Sequence, residues 1–252
     1  MTIPLKPGIL YGPVNSRRLG RSLGINLLPA DRKVCTFDCL YCQYGWTDRA
    51  AGDGASFADP EKVKRALEDY LPTLPLPPAY LTFSGNGEPT LHPRFPEIVD
   101  KVIEIRDRLA PSARTAVLSN STTVHKPRIR EALRRLDVRI MKLDAGTEAT
   151  FGAFNRPPSG LFLKNVAEGL AELGKVTIQS LWAGGPSGND SEGEVEAWAA
   201  RIKRIRPVAV QIYTLARGWP EPGLRPLELQ RLDEICRRVS IEGIPAEVFS
   251  RV

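Results

Sequence analysis

Val34-Cys35-Thr36-Phe37-Asp38-Cys39-Leu40-Tyr41-Cys42-Gln43 holds three of the chain's four cysteines; the other is Cys236. Thiols this crowded in a cysteine-poor chain point to one shared soft-metal site. Three thiolates are one short of the four that usually hold an iron–sulfur cluster. A cluster held by Cys35, Cys39 and Cys42 leaves one iron without a protein thiolate, open to a small molecule. Other readings compete. A tetrahedral zinc site wants a fourth Cys or His, and the only histidines are the distant His92 and His125. A redox pair of Cys39 and Cys42 leaves Cys35 without a role. A disulfide scaffold needs more cysteines and a signal peptide. Cys236 falls in an amphipathic helical pattern and reads as a buried apolar thiol.

The rest of the composition bounds the class. At 252 residues, with 42% apolar and 25% charged residues, the chain has the profile of a globular domain. No run of about 18 apolar residues is present, so no membrane span is expected. No signal-type run opens the sequence, so the cytoplasm is the expected compartment. The net charge is +6, with Arg17, Arg18, Arg21, Arg32 and Lys33 contributing early. Such a face attracts nucleic acid or another polyanion, or is an ordinary basic surface.

Short β-branched or apolar runs alternate with amphipathic helical patterns. Strands are expected at 22–28, 79–84, 115–120, 139–145, 176–181 and 208–215, with a short last one at 246–250. Helices are expected at 60–71, 94–109, 128–136, 161–173, 192–205 and 227–239. Repeated βα units imply a parallel sheet with helices outside. Six of them predict an α/β fold, a partial (β/α)6 TIM-type barrel. The Pro- and Gly-rich breaks read as loops, so a single domain over 1–252 is expected, with 1–21 as an N-terminal extension packing on the barrel.

In such folds ligands gather at the carboxyl ends of the strands, where the informative residues fall. Ser84-Gly85-Asn86-Gly87-Glu88-Pro89 follows the second strand. Its glycines permit unusual backbone angles and close approach of a ligand, and Glu88 can accept a hydrogen bond from an ammonium group. Strand alternation puts Ile140, Lys142 and Asp144 on one face. A buried parallel strand is normally apolar on both faces. Lys142 and Asp144 therefore read either as polar lining of the barrel mouth or as a buried structural ion pair. Gln179, Gln211 and Tyr213 are further inward candidates. Ser119 and Asn120 are candidate ribose or carboxylate contacts, or a strand-ending turn. His92 and His125 read as surface or capping residues.

The C-x3-C-x2-C spacing with Tyr41 before the last cysteine resembles the signature of radical S-adenosylmethionine (SAM) enzymes. Gly85-Asn86-Gly87-Glu88-Pro89 resembles the GGEP motif of that family, with Asn86-Gly87 in place of Gly-Gly. Residues 11–20, 35–45, 82–93, 142–145, 154–157 and 210–215 look like a subfamily of iron–sulfur oxidoreductases related to the wyosine-tRNA synthetases. The resemblance implies a 4Fe-4S cluster on the three cysteines and SAM on the open iron. Glu88 and the backbone of Gly85, Asn86 and Gly87 would receive the methionine amino group. Adenine would lie near Tyr41 and Gln43, with Ser119, Asn120 and Gln179 completing the cofactor site. Lys142, Asp144 and Tyr213 are the expected catalytic residues, and Arg17, Arg156 and Arg217 the expected substrate contacts. The resemblance also implies a flavodoxin- or ferredoxin-type electron donor. Wyosine synthetases carry a second cluster with its own cysteines; Cys236 alone cannot supply one. The expected activity is reductive cleavage of SAM to a 5′-deoxyadenosyl radical that abstracts hydrogen from RNA or a nucleotide. The alternatives are a peptide, protein or metabolite substrate, or a non-catalytic electron carrier.

Overall fold

Residues alternate between two faces along every strand of the main sheet, and the two faces differ in chemistry. Leu23, Ile25, Leu81, Phe83, Val117, Met141, Ile178, Val210 and Ile212 all enter one apolar core. The intervening positions, among them Ser22, Thr82, Lys142, Gln179, Gln211 and Tyr213, face the other way. That division is what a sheet needs when helices cover its outside and a polar lumen fills its inside.

The computed structural model describes residues 2–47 and 56–249. In chain order its elements are β1 (Leu10–Ser16), β2 (Gly20–Ile25), α1 (Pro60–Tyr70), β3 (Tyr80–Phe83), α2 (Phe95–Leu109), β4 (Arg114–Ser119), α3 (Pro127–Arg134) and β5 (Val138–Lys142). They continue with α4 (Glu148–Thr150), α5 (Leu163–Leu173), β6 (Thr177–Leu181), β7 (Ala183–Gly184), α6 (Glu192–Ile205), β8 (Ala209–Tyr213), β9 (Arg225–Pro226), α7 (Leu229–Ser240) and β10 (Ala246–Phe249). The main sheet runs β1-β2-β3-β4-β5-β6-β8-β10, and β7 pairs with β9 in a separate ribbon. From β2 onward every neighbouring pair in the main sheet is parallel; β1 runs antiparallel to β2.

The six expected parallel strands and the last short one are present, as a partial barrel. Ser250, expected to end that last strand, lies outside the described residues. Residues 10–16, expected within an N-terminal extension, instead form β1 and belong to the sheet. Pro13 fits because β1 is an edge strand, where a missing N–H breaks no interior ladder. The Tyr11 ring lies across Gly24: a Cβ there would come within 2.1 Å of it.

The helices form where local chemistry favours them. The Asp59 side chain caps α1 by accepting from Glu61 N at 2.9 Å, and Pro60 opens the helix. On α2, Phe95, Ile98, Val99 and Val102 bury one stripe. The β1–β2 turn folds into the barrel. Leu19 packs with Ala116 and Ile140 on the inward faces of β4 and β5. Arg18 stacks on Tyr213 and Phe249, with its guanidinium carbon 4.3 and 5.2 Å from the ring centroids. One turn thereby links the start of the sheet to β8 and β10 at the other end.

Candidate active site

The cysteine loop leaves β2 and is fixed at both ends by backbone pairing. Val34 N donates to Asn86 O at 2.9 Å, and Glu88 N donates to Val34 O at 3.0 Å, a parallel bridge between two loops. Gly87 makes that approach possible. Its φ is 140°, and a Cβ there would lie 1.8 Å from the Val34 carbonyl oxygen. Further on, Asp38 N and Leu40 N donate to Asn155 O and Phe154 O, both at 3.0 Å. Phe37 packs edge-on against Phe151 at 5.4 Å. Within the loop Lys33 Nζ donates to Gly45 O at 2.8 Å, while Asp38 accepts from Thr47 N at 2.7 Å.

The three thiols share one electrostatic environment. Burial pushes the Cys35 thiol up to about 12; Lys33 opposes the shift, while Glu88 and Cys42 add to it. Cys39 is raised further by burial, by Asp144 and by the other two thiols. Thiolates in this setting need a compensating positive charge. Among the described residues no three Cys, His, Asp or Glu groups converge closely enough to hold a single ion. A cluster asks for something else, since each thiolate then holds a different iron.

Two amides point at cysteine sulfurs. Asn120 Nδ2 donates to Cys35 Sγ at 3.4 Å and to Thr36 Oγ1 at 2.9 Å. Its Oδ1 accepts from Thr122 N and Oγ1 at 3.0 and 2.8 Å, which fixes the amide orientation. Asn155 Nδ2 donates to Cys39 Sγ at 3.4 Å and to Asp144 Oδ2 at 3.0 Å. Ser121, beside Asn120, has a left-handed φ of 71°, a conformation unusual for a residue with a side chain. Its hydroxyl donates to Lys142 O at 2.8 Å.

Asp144 joins the loop to the barrel interior. Only 2% exposed, it accepts from the Tyr41 hydroxyl and from Leu181 N at 2.8 Å, and pairs with Lys142 Nζ at 2.8 Å. Lys142 Nζ also donates to the Tyr213 hydroxyl at 2.7 Å. Burial alone would lower the lysine's proton affinity; Asp144 and Tyr213 outweigh it and hold the ammonium above its ordinary value. Behind Asp144, Asn189 Nδ2 donates to its backbone carbonyl at 2.8 Å.

A sequence model described as the radical SAM superfamily matches residues 33–194, which spans the cysteine loop, the glycine turn and β3 to β6. The chain belongs to the radical SAM superfamily. Among its relatives, the UPF0026 protein of Synechocystis is 31% identical over 224 residues, covering 87% of this chain and 79% of that one. A protein named GTPase Obg from Brachyspira hyodysenteriae is 29% identical over 216 residues, 84% of this chain. The match spans only 31% of that protein's length. Among solved structures, a radical SAM methyltransferase from Sphaerobacter thermophilus superposes with TM-score 0.62 at 16% identity, covering 91% of this chain and 66% of that one. TYW1 with a lysine–pyruvate adduct bound gives 0.63 at 15% identity, covering 88% and 73%. At these identities the structures speak for the fold.

The radical SAM fold implies SAM and an iron–sulfur cluster, and three free thiols in one loop, Cys39 buried and Cys35 and Cys42 partly so, fit such a group. The other expected site residues occupy varied positions around them. Glu88, 1% exposed, lies beside the cysteines but already accepts from Thr90 N at 3.0 Å, Ser119 Oγ at 2.9 Å, Asn120 N at 2.5 Å and the Thr90 hydroxyl. It clasps the loops after β3 and β4. Asn86 faces the N-terminal segment: its side chain accepts from Lys6 N and donates to Lys6 O and Pro29 O. Gly85 and Gly87 give their free space to Asn26 and Val34, not to an open surface. Gln43 O accepts from Ile3 N at 2.8 Å, and its side chain accepts from Arg217 at 3.1 Å. Gln179 donates to Gln211 at 3.1 Å. Arg156 stacks on Trp46 at 4.8 Å and lines a cleft of about 500 Å³ with Leu40, Thr150, Phe154 and Ser187. Arg17 is exposed on the β1–β2 turn.

His92, expected as a surface or capping residue, is buried and caps the short helical turn Pro89–Leu91. Its ring bonds Ala58 O at 2.8 Å and accepts from Arg94 N at 3.0 Å, so it joins two loops. Asn155 was not singled out as a site residue, and Arg18, one of the basic residues expected to meet phosphate or carboxylate, was not expected inside the barrel. Nothing local marks either placement, because their contacts are made only by tertiary folding.

The amide–sulfur contacts carry an expected outcome. Replacing Asn120 or Asn155 by Leu removes a donor that favours the more negative, reduced state of a bound cluster. A loss of about 1 kcal/mol corresponds to about 40 mV for one electron. Each variant should show a midpoint potential lower by about that amount in an anaerobic titration followed by electron paramagnetic resonance. Unchanged potentials would remove the electrostatic role.

Proposed function

We propose that this radical SAM enzyme holds a 4Fe-4S cluster on Cys35, Cys39 and Cys42 and acts on RNA or a nucleotide. The bound cluster and SAM supply a 5′-deoxyadenosyl radical able to take a hydrogen atom from substrate. Reduction comes from a flavodoxin- or ferredoxin-type donor, and the cytoplasm is the compartment we assign.

The observation that carries the reading is the backbone bridge between Val34 and Gly87. It sets the cysteine loop against the turn that resembles the family's methionine-binding motif. An electron carrier would have no need of that turn. In the proposed site Glu88 keeps its carboxylate at the loop junction, where Oε2 can take an ammonium donor beside Asn120 N. Burial raises the Glu88 carboxyl, while donors from Thr90, Asn120 and Ser119 pull it back toward ionisation. Tyr41, Asp144 and Lys142 hold the loop against the lumen, and the buried strands exclude water from it. Lys142 acts as a cation, since an amine nucleophile must be neutral and this one is held protonated by Asp144.

The RNA or nucleotide part rests on the net charge of +6 and on Arg156 and Arg217 beside the cysteine loop. Filter binding of a tRNA pool to the reconstituted protein tests it. Affinity should fall steeply between 50 and 200 mM salt, by roughly a hundredfold for about four phosphate contacts. No RNA binding at low salt would exclude RNA and leave a peptide, protein or metabolite substrate.

A further inference from the structure

Arg18 reaches the barrel interior, stacked on Tyr213 and Phe249, and among the described residues no carboxylate pairs with it. Its Nε and Nη2 atoms are buried, and no acceptor among the described residues takes a hydrogen bond from either. These two nitrogens form one edge of the guanidinium, the edge that grips a carboxylate or phosphate through two parallel bonds. Stacking on Tyr213 and Phe249 holds the plane in place. Lys142 approaches the same tyrosine, with Nζ 4.7 Å from the ring centroid and 2.7 Å from the hydroxyl. Asp144 neutralises Lys142, and no ion-pair partner of Arg18 is found among the described residues. Among the described residues, two cations and one carboxylate thus surround Tyr213, an excess of one positive charge facing the lumen. A buried charge left this way is strongly disfavoured unless an anion joins it. Burial accordingly lowers the proton affinity of Arg18, with Arg17 adding to the effect and Tyr213 opposing it.

We propose that Arg18 and Lys142, gathered about Tyr213 inside the barrel, form a subsite for an anionic group of the substrate, a carboxylate or a phosphate. The inference rests on the reading of the lumen as the substrate chamber and specifies what the substrate carries into it. Arg18 anchors the anion through its free edge, and Lys142 offers the third donor of its ammonium group.

Equilibrium dialysis of the anaerobically reconstituted, SAM-loaded protein against radiolabelled inorganic phosphate or acetate, at fixed ionic strength, tests the subsite. One saturable site is expected, and Arg18→Gln should weaken it at least tenfold. Arg128→Gln, on an outer helix, controls for net charge and should change it little. The tighter of the two probes identifies a phosphorylated or a carboxylic substrate. Equal binding by Arg18→Gln and wild type, or equal competition by neutral acetamide, would overturn the subsite. Should Arg18→Gln misfold, the wild-type protein still decides: phosphate or acetate should slow phenylglyoxal modification of Arg18, read by peptide mass, and unchanged modification overturns the proposal. Formation of 5′-deoxyadenosine by the same preparation reports separately on the chemistry. Anion binding without it would count against the radical reading and leave the subsite standing.

Discussion

Cys42→Ala should strip most iron from the reconstituted protein and reduce 5′-deoxyadenosine formation by at least about a hundredfold. Changing a group that only supports a metal ligand already costs about 10–100-fold, and Cys42 is itself a proposed ligand. The fold should survive, because Cys42 is only partly buried and the loop keeps its bridges to Asn86, Glu88, Phe154 and Asn155. Cys236→Ala is the matched control. Its thiol lies on α7, 3.8 Å from the Ser240 hydroxyl, and its loss should leave iron content and product unchanged. Iron and absorbance spectra measured with product formation separate the two variants. A Cys42→Ala protein with full iron and full SAM cleavage would remove this residue from the site.

The largest stability effect is expected at Asp144. Asp144→Asn keeps the shape and leaves Lys142 buried without its counter-charge, a change that costs about 3–5 kcal/mol in comparable settings. At about 2–4 °C per kcal/mol for a chain of this size, the melting temperature should fall by about 10 °C. The pH dependence has a defined sign. The folded-state value of Lys142 is raised, so the pair's contribution is complete below the ordinary lysine value near about 10.4. It is lost as pH climbs through the raised value. The gap between wild type and Asp144→Asn should therefore be constant at neutral pH and narrow in strong alkali. Adding Lys142→Met to an Asp144→Leu background should recover much of the loss, because an apolar pair can replace a buried ion pair. A melting temperature within about 2 °C of wild type for Asp144→Asn would show that the pair contributes little.

The parts of this architecture that depend on short-range pattern were legible before folding was considered. Alternation in 139–145 placed Lys142 and Asp144 on one face, and the structure pairs them at 2.8 Å. The stripe on 94–109 became the buried face of α2. Residues 10–16 were missed as a strand because Gly12 and Pro13 punctuate the run, and only an edge position tolerates them. The glycine turn was recognised, but its physical task was not. Gly87 admits the Val34 carbonyl, a contact 53 positions away in sequence that no local pattern reports. Ser119 and Asn120 were legible as ligand contacts or as a strand-ending turn, but their own protein partners were not. In the fold they hold Glu88 and Cys35. Asn155 acquires its partners only by tertiary folding, and Arg18, legible as an anion contact, gains its place beside Tyr213 and Phe249 only once the sheet closes.

The most direct measurement is 5′-deoxyadenosine formation by wild-type protein, reconstituted anaerobically with iron and sulfide, reduced with dithionite and supplied with SAM. Formation of 5′-deoxyadenosine and methionine that depends on protein, iron and reductant together is the predicted result. A protein that takes up a full cluster, binds SAM and forms no 5′-deoxyadenosine above the protein-free background, with every candidate substrate class present, would contradict it.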